Sequence, residues 1–137
     1  MKPIALLTTI PSDSHSWNLI FMELVLKEIG YEVINLGVCT PYNLTTKSIN
    51  LYTPNIIVVS TINGHGYIEG EKLIKKVIKK CIHKCPIYIG GKLSTNTEKQ
   101  INQIDILEKK GYTKAFMGND FSIFKKIAKK ICVYSMT

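Results

Sequence analysis

The sequence contains no arginine. All 18 of its basic residues are lysines, and with 10 acidic residues the formal net charge is +8. Proteins that recognise nucleic acids depend on the guanidinium group of arginine for bidentate contacts with bases and phosphates. We therefore expect no nucleic-acid partner. The lysines occur in pairs between apolar residues at helical spacing, which predicts solvated helix faces; the alternative is a weak general affinity for anions or for an acidic partner.

A long hydrophobic run is missing as well. A helix that spans a bilayer needs about 18 or more consecutive apolar residues, and no stretch of the sequence reaches that length. The apolar part of the N-terminal MKPIALLTTI is short, and no small-residue cleavage site follows it. We expect no membrane partner and a cytoplasmic location. The length of 137 residues and the hydrophobic content of 45% predict one compact domain over 1–137.

The four cysteines do not form a pattern typical of a metal site. Cys81 and Cys85 are four residues apart, with His83 between them, but no second pair of ligands follows to complete a zinc site. The spacing predicts that both thiols share one helix face. Because free cysteine is commonly buried, we expect a packing role.

Strands and helices alternate along the chain. The apolar patterns predict strands over 4–9, 32–37, 56–61, 87–90 and 114–117, and helices over 16–29, 43–52, 69–84, 97–110 and 121–132. Such alternation indicates an α/β fold with helices on both faces of a parallel sheet. We predict a doubly wound, five-stranded, flavodoxin-like (Rossmann-like) sheet with strand order 2-1-3-4-5.

The three loops richest in polar and small residues all fall at one edge of this predicted sheet. They follow strands 1, 3 and 4, and their sequences are IPSDSHS, TINGHGYIEG and GGKLSTN. In the 2-1-3-4-5 order the topological switch point lies between strands 1 and 3, and ligands bind in the crevice beyond the carboxyl ends of such strands. The sequence thus predicts a ligand site at this edge.

Several chemistries known for folds of this kind are disfavoured. A phosphoryl-accepting site needs acidic residues after strands 1 and 3, whereas strand 3 ends in Ser60 and Thr61. The loop after strand 1 has hydroxyl groups but no glycine, and it contains Pro11, so neither an FMN-phosphate loop nor a dinucleotide fingerprint is indicated.

The pair Asp13 and His15 allows two interpretations. A carboxylate two residues before an imidazole can bind one ring nitrogen and make the other nitrogen a better metal ligand. Alternatively, Asp13 or Ser14 caps a helix that starts near Ser16, and His15 is a solvated loop residue. The position of the pair at the predicted crevice leaves the two interpretations evenly balanced.

Three segments together resemble a known family. SDSHSWN after strand 1, VSTINGHG after strand 3 and YIGGKL after strand 4 are similar to the corrinoid-binding domain of cobalamin-dependent mutases and methyltransferases, with its Asp-x-His-x-x-Gly, Ser-x-Leu and Gly-Gly motifs. Within that family, GYEVINLGV and VVSTINGHG resemble the small, cobalamin-binding subunit of methylaspartate (glutamate) mutases.

The resemblance implies a role for each matching residue. His15 would be the axial ligand of cobalt and Asp13 would orient it, while no residue of this chain would be catalytic. The implied cofactor-binding residues are Ser12, Asp13, Ser14, His15, Ser16, Asn18, Ser60, Thr61, Ile62, Gly64, Gly66, Gly90, Gly91, Lys92, Leu93, Ser94, Thr95 and Asn96.

Two positions depart from the family pattern. Asn18 stands where the family has glycine beside the inserted nucleotide tail, so its side chain either narrows the slot or donates a hydrogen bond to the tail. The last loop, FMGNDF, replaces a Pro-Gly-Thr-like turn and keeps only Gly118 of it.

The resemblance implies a subunit of an isomerase that carries adenosylcobalamin in the base-off/His-on form. In the family, such a mutase converts L-glutamate into 3-methylaspartate. The chain lacks the barrel that binds substrate, so a large catalytic barrel subunit is the implied partner. The alternatives are a corrinoid protein of a methyltransferase system, a non-enzymatic cobalamin-binding or sensory module with a drifted site, and an unassigned flavodoxin-like protein. His65 is either a rim contact to partner or cofactor or an ordinary loop residue.

Overall fold

The chain folds around one five-stranded parallel sheet with the order β2-β1-β3-β4-β5. The computed structural model describes residues 2–117 and 120–136, without the side chains of residues 97 and 117. The strands are β1 Ile4–Thr8, β2 Glu32–Asn35, β3 Ile56–Thr61, β4 Ile87–Gly91 and β5 Lys114–Met117; the helices are α1 Ser16–Ile29, α2 Tyr42–Tyr52, α3 Gly66–Lys80, α4 Gln100–Lys110 and α5 Phe121–Met136. A 3₁₀ turn, Thr97–Lys99, precedes α4. The predicted fold class and strand order are confirmed.

The central strand β3 explains why this sequence forms a parallel sheet. All six of its residues are buried, because β3 pairs with β1 on one side and β4 on the other while helices cover both faces. The edge strand β2 is only partly buried. The apolar run of β3 therefore marks the middle of the sheet and the place where the strand order switches.

Alternate residues of each strand supply two separate cores. Leu6, Ile57 and Ile89 pack with residues of α2, α3 and α4, whereas Leu7, Val58 and Tyr88 pack with residues of α1 and α5. This division follows from the two-residue period of a strand. The loops at the carboxyl edge consequently lie between a mostly aliphatic face, which includes Tyr112, and a face rich in aromatic rings.

Helix α3 differs most from its predicted range of 69–84. It begins three residues earlier, at Gly66, and ends at Lys80. Asn50 of α2 stops it: the Asn50 side chain donates a hydrogen bond to the Lys80 carbonyl (3.2 Å) and accepts one from the Ile82 N–H (3.0 Å). Cys81 then adopts an extended conformation.

The prediction that Cys81 and Cys85 share a helix face is therefore wrong. Cys81 is nevertheless buried, and its thiol contacts the Thr46 carbonyl oxygen at 3.6 Å, while Ile82 is 90% exposed. Burial raises the pKa of both thiols, that of Cys85 to about 12, so both remain protonated at neutral pH. In the described ranges, no three histidine, cysteine or acidic side chains are grouped so that they could hold a metal ion.

Across residues 2–117 and 120–136, none of the helices combines the length and the apolar character that crossing a membrane requires.

Candidate cofactor-binding site

The loop between β1 and α1 is organised around the carboxylate of Asp13, which is only 1% exposed. One carboxylate oxygen accepts a hydrogen bond from the backbone N–H of His15 (2.9 Å) and lies 2.8 Å from its Nδ1. The other oxygen accepts bonds from the Thr61 hydroxyl (2.6 Å) and the Ile62 N–H (2.9 Å). Asp13 therefore joins His15 to the end of the central strand β3.

These hydrogen bonds decide the charge of Asp13. Burial by itself raises the pKa of the carboxyl, but the bonds from the Thr61 hydroxyl, from the backbone of His15 and Ile62 and from the His15 ring outweigh it. The pKa of Asp13 is held below its ordinary value, and the group is an anion at neutral pH. An ionised carboxylate only accepts hydrogen bonds, so the facing Nδ1 of His15 is the protonated ring nitrogen.

In the neutral form of the ring the opposite nitrogen, Nε2, carries the lone pair, and the side chain of His15 is 52% exposed. His15 occupies the position before the first turn of α1, and no side chain forms a capping hydrogen bond there. The capping interpretation of Asp13 is therefore wrong, because its carboxylate binds His15 and β3 instead. Trp17, the only tryptophan in the sequence, lies in that first turn and is 80% exposed.

A pocket of about 210 Å³ lies between α1, α5 and the sheet. Ser60, Gly90 and Gly91 contribute from the strands, and Asn18 from α1. The rest of the lining is mostly apolar or aromatic: Phe21, Met22, Val58, Val59, Tyr88, Ile89, Phe116, Phe121 and Phe124. The aromatic rings contact one another, with centroids 5.5 Å apart for Phe21 and Phe121 and 5.7 Å apart for Phe116 and Phe124.

Two consecutive glycines shape the floor of the pocket. Gly90 pairs with Phe116 in the sheet, and a Cβ on it would lie 3.3 Å from the Phe116 Cβ. Gly91 has φ +113°, and a Cβ there would lie 2.0 Å from the Thr61 carbonyl oxygen. Only glycine fits this second position, while the first keeps the face under the aromatic rings open.

Asn18 is the least satisfied polar residue of the site. Its amide nitrogen donates only long hydrogen bonds, of 3.4 Å, to the carbonyl and hydroxyl oxygens of Ser60. Its amide oxygen is buried and has no hydrogen-bond partner among the described residues. The side chain thus crosses from α1 to β3 and narrows the pocket at a cost in free energy, since an unsatisfied buried acceptor costs about 1–3 kcal/mol.

Other predicted site residues pack loops against each other and do not line the pocket. A Cβ on Gly64 would lie 2.8 Å from Thr95 Cγ2, and one on Gly66 would lie 2.6 Å from Thr61 Cγ2. Leu93 is fully buried in the core formed with α2, α3 and α4. These three residues hold the loop after β3 against the loop after β4.

The remaining predicted residues surround the two central features. Thr61 and Ile62 donate hydrogen bonds to the Asp13 carboxylate, as described above. Ser12, Ser14 and Ser16 are exposed around His15, and Lys92, Thr95 and Asn96 are exposed on the loop after β4, where Ser94 is half-buried. His65 is exposed before the first turn of α3. Gly118, the remnant of the family turn, lies outside the described residues.

The aromatic wall of the pocket was missed by sequence reasoning. Tyr88 precedes Gly90 by two residues and therefore shares its face of the sheet, which could have signalled a pocket. Phe124 is buried in α5, and burial alone does not distinguish a pocket wall from an ordinary core. Phe21 and Phe121 gave no signal of their own, because an aromatic residue at helical spacing is more often a packing residue.

Comparison with known proteins gives relatives of one kind. No family model matches the chain. It is 24% identical over 107 residues to a glutamate mutase sigma subunit of Fusobacterium nucleatum, covering 78% of this chain and 79% of the relative. It is 31% identical over 94 residues to a glutamate mutase sigma subunit of Carboxydothermus hydrogenoformans, covering 68% of this chain and 69% of the relative.

A solved structure agrees in fold. A cobalamin-binding protein from Desulfitobacterium hafniense superposes with a TM-score of 0.71 at 16% identity, over 94% of this chain. This chain spans 58% of that protein's length, and the likeness concerns the fold. Together with 31% identity over more than two thirds of a sigma subunit, the shared sequence and the Asp13–His15 loop place the chain in the family of glutamate mutase sigma subunits.

Proposed function

We propose that this protein binds cobalamin through His15 and is the cofactor-carrying subunit of an adenosylcobalamin-dependent carbon-skeleton mutase of the glutamate mutase type. The observation that carries the proposal is the buried, ionised Asp13, which binds Nδ1 of the half-exposed His15 side chain at the start of α1, the helix that also lines an apolar pocket. A histidine oriented in this way by a carboxylate is typical of a metal ligand.

The residues of the site suit the two parts of such a cofactor. Neutral imidazole nitrogen is a good donor for cobalt, and the carboxylate behind it increases its basicity. The pocket beside Phe21, Phe121 and Phe124 is lined mostly by apolar and aromatic side chains, which would suit the aromatic base of the nucleotide tail. Gly90 leaves the floor of that pocket free of a side chain.

The chain's own contribution is to bind and to orient. The bound cofactor would supply a cobalt–carbon bond that breaks homolytically. Asp13 keeps the proton on Nδ1, and the bonds from Thr61 and Ile62 keep Asp13 charged and in place. Ser60 offers a hydroxyl group at the pocket, and the polar side chains around it are proposed contacts for the tail and the corrin: Ser12, Ser14, Ser16, Lys92, Ser94, Thr95 and Asn96.

We assign substrate binding to a separate, large barrel subunit. The relatives are named sigma subunits, a name that denotes one part of an enzyme with several subunits. Membership of that family favours a mutase over a corrinoid protein of methyl transfer. The conversion of L-glutamate into 3-methylaspartate is accordingly the proposed reaction of the complex.

Visible spectroscopy tests the cofactor assignment. The purified chain is mixed with hydroxocobalamin or adenosylcobalamin, desalted and scanned, and we expect a retained chromophore with a base-off/His-on spectrum. His15→Ala should lose that spectrum. His65→Ala is the matched control, because His65 holds the same position before α3 that His15 holds before α1. A wild-type chain that retains no cofactor, or His15→Ala with an unchanged spectrum, would contradict the proposal.

A further inference from the structure

The loop that carries His15 is held on the α3 side as well as by β3. The residue before Asp13, Ser12, donates its backbone N–H to one carboxylate oxygen of Glu69 (3.2 Å) and its hydroxyl to the other. Asn63 donates a side-chain N–H to the Ser12 hydroxyl oxygen at 2.9 Å. Both polar groups of Ser12 that can donate are therefore bound to one carboxylate.

The position of Glu69 in α3 allows it to hold Ser12 in place. It lies in the first turn of α3, where the helix dipole favours a negative charge. The next residues of the helix, Gly70, Leu73 and Ile74, are buried and anchor it to the core. Within the described ranges, Glu69 forms no ion pair with a lysine, whereas Glu71 on the same helix pairs with Lys75 at 3.0 Å.

The other attachments of the loop act on Asp13 itself. Its carboxylate binds β3, and its carbonyl accepts a hydrogen bond from the Cys39 N–H at 2.8 Å. Among the hydrogen bonds of the described residues, release of Ser12 from Glu69 leaves the segment between Ile10 and Asp13 with the Asn63 bond to the Ser12 hydroxyl oxygen and one backbone turn, from the Asp13 N–H to the Ile10 carbonyl at 3.1 Å. Asp13, which orients the His15 ring, is then less constrained on the α3 side.

We infer that Glu69 is a positioning residue, which with Ser12 fixes the loop so that Nε2 of His15 points outward to its ligand. The inference rests on the proposed function for its consequence, but its structural half concerns the chain without cofactor. Glu69 does not touch His15, and its effect passes through Ser12 and Asp13.

The test uses Glu69→Ala, the isosteric Glu69→Gln and Ser12→Ala, with Glu71→Gln as the matched control. Hydrogen exchange of the cofactor-free chain reports the loop, and titration with hydroxocobalamin reports binding. We expect faster exchange over 12–15 in all three variants but not in the control. Because partners that orient a metal-binding histidine are worth about 10–100-fold in metal affinity, we expect about tenfold weaker binding in Glu69→Ala.

A double variant separates positioning from a general loss of structure. If Ser12 and Glu69 act as one unit, the double alanine variant should bind cobalamin no more weakly than Glu69→Ala alone. The spectrum should also shift from the His-on towards the His-off form, which a merely less stable fold would not cause. Should Glu69→Ala fail to fold, Glu69→Gln, which keeps the size and one acceptor oxygen, gives the same comparison.

The outcomes are distinct. If the wild-type chain takes up no cobalamin, the proposed function fails, and unchanged exchange over 12–15 in the Glu69 variants would overturn the inference independently. If the wild-type chain binds through His15 and Glu69→Ala binds equally well with the same spectrum, the inference is overturned while the proposed function stands.

Discussion

The two sides of the crevice are built on different principles. On the β1–α1 loop side, both oxygens of Asp13 accept hydrogen bonds, with donor distances of 2.6–2.9 Å. On the α1–α5 side, aromatic rings line the pocket and the one polar side chain from a helix, Asn18, has a buried oxygen without a partner in the described residues. On the β1–α1 loop side, both oxygens of Asp13 thus have hydrogen-bond partners without a ligand. On the α1–α5 side, the Asn18 oxygen has none among the described residues.

The difference matters because the two kinds of contact differ in directionality. Charge-assisted hydrogen bonds have a narrow geometry and fix the orientation of His15, the proposed metal ligand. Apolar contact is non-directional and accepts any flat group of suitable size. If the proposed function holds, the polar side therefore determines which group is bound and where, and the apolar side contributes contact area.

Substitution in the floor shared by the two sides, at Gly91, should lower the free energy of unfolding most. In Gly91→Ala, a methyl group would meet the Thr61 carbonyl at 2.0 Å with φ at +113°, so we expect the free energy of unfolding to fall by about 4 kcal/mol or more. Gly37→Ala is the control, because it has φ +86° but no atom within 4 Å of the new Cβ. In Gly37→Ala, backbone strain should lower the free energy of unfolding by only about 1–2 kcal/mol. Urea denaturation measures both, and equal losses would contradict the prediction.

On the polar side, replacement of Asp13 should lower the stability of the fold by an amount that depends on pH. Asp13→Asn places an amide before four donor groups, so at pH 7 we expect a loss of about 2–3 kcal/mol in the free energy of unfolding. Because the pKa of Asp13 is lowered on folding, its stabilisation is present above the unfolded value, near 3.8, and is lost as the pH falls through the folded value. The two proteins should therefore converge in stability below pH 4. A difference that stays constant down to pH 2 would speak against an ionised Asp13.

Substitution of Asn18 on the apolar side should have the smallest effect on stability. It should also strengthen ligand binding and not weaken it. Asn18→Gly removes the side chain that narrows the pocket, so we expect several-fold slower loss of bound cobalamin in a dilution assay. Helical glycine should lower stability by only about 0.5–1 kcal/mol. Asn18→Ala controls for that flexibility and should also retain cobalamin longer than the wild-type chain. Faster loss from both variants would mean that the Asn18 amide binds the ligand.

Much of the framework followed from local sequence patterns. The bounds of α1, β3 and β5 were predicted correctly, because each has a strong apolar period and a clear stop. The end of α3 was not, since the Asn50 side chain that stops it belongs to α2 and becomes a neighbour only in the folded chain. The range of a helix that is ended by a tertiary contact cannot be derived from its own residues.

The residues of the site likewise divide into those that local sequence patterns identified and those that they did not. Asp13 and His15 could be singled out because their spacing is local and their loop follows a predicted strand. The wall formed by Phe21, Tyr88 and Phe124 combines two helices and a strand, and single-residue patterns indicated only burial. Gly64 and Gly66 were assigned to the ligand, and in the structure both also allow close packing, against Thr95 and Thr61 respectively.

Trp17 gives this chain an optical property that comes with its fold. It is the sole indole in the sequence, it is 80% exposed, and it follows His15 by two residues on the first turn of α1. Its fluorescence in the empty protein therefore arises from one ring in contact with water. A coloured, planar group bound at His15 should quench this single indole, so that occupancy could be followed in solution without a label.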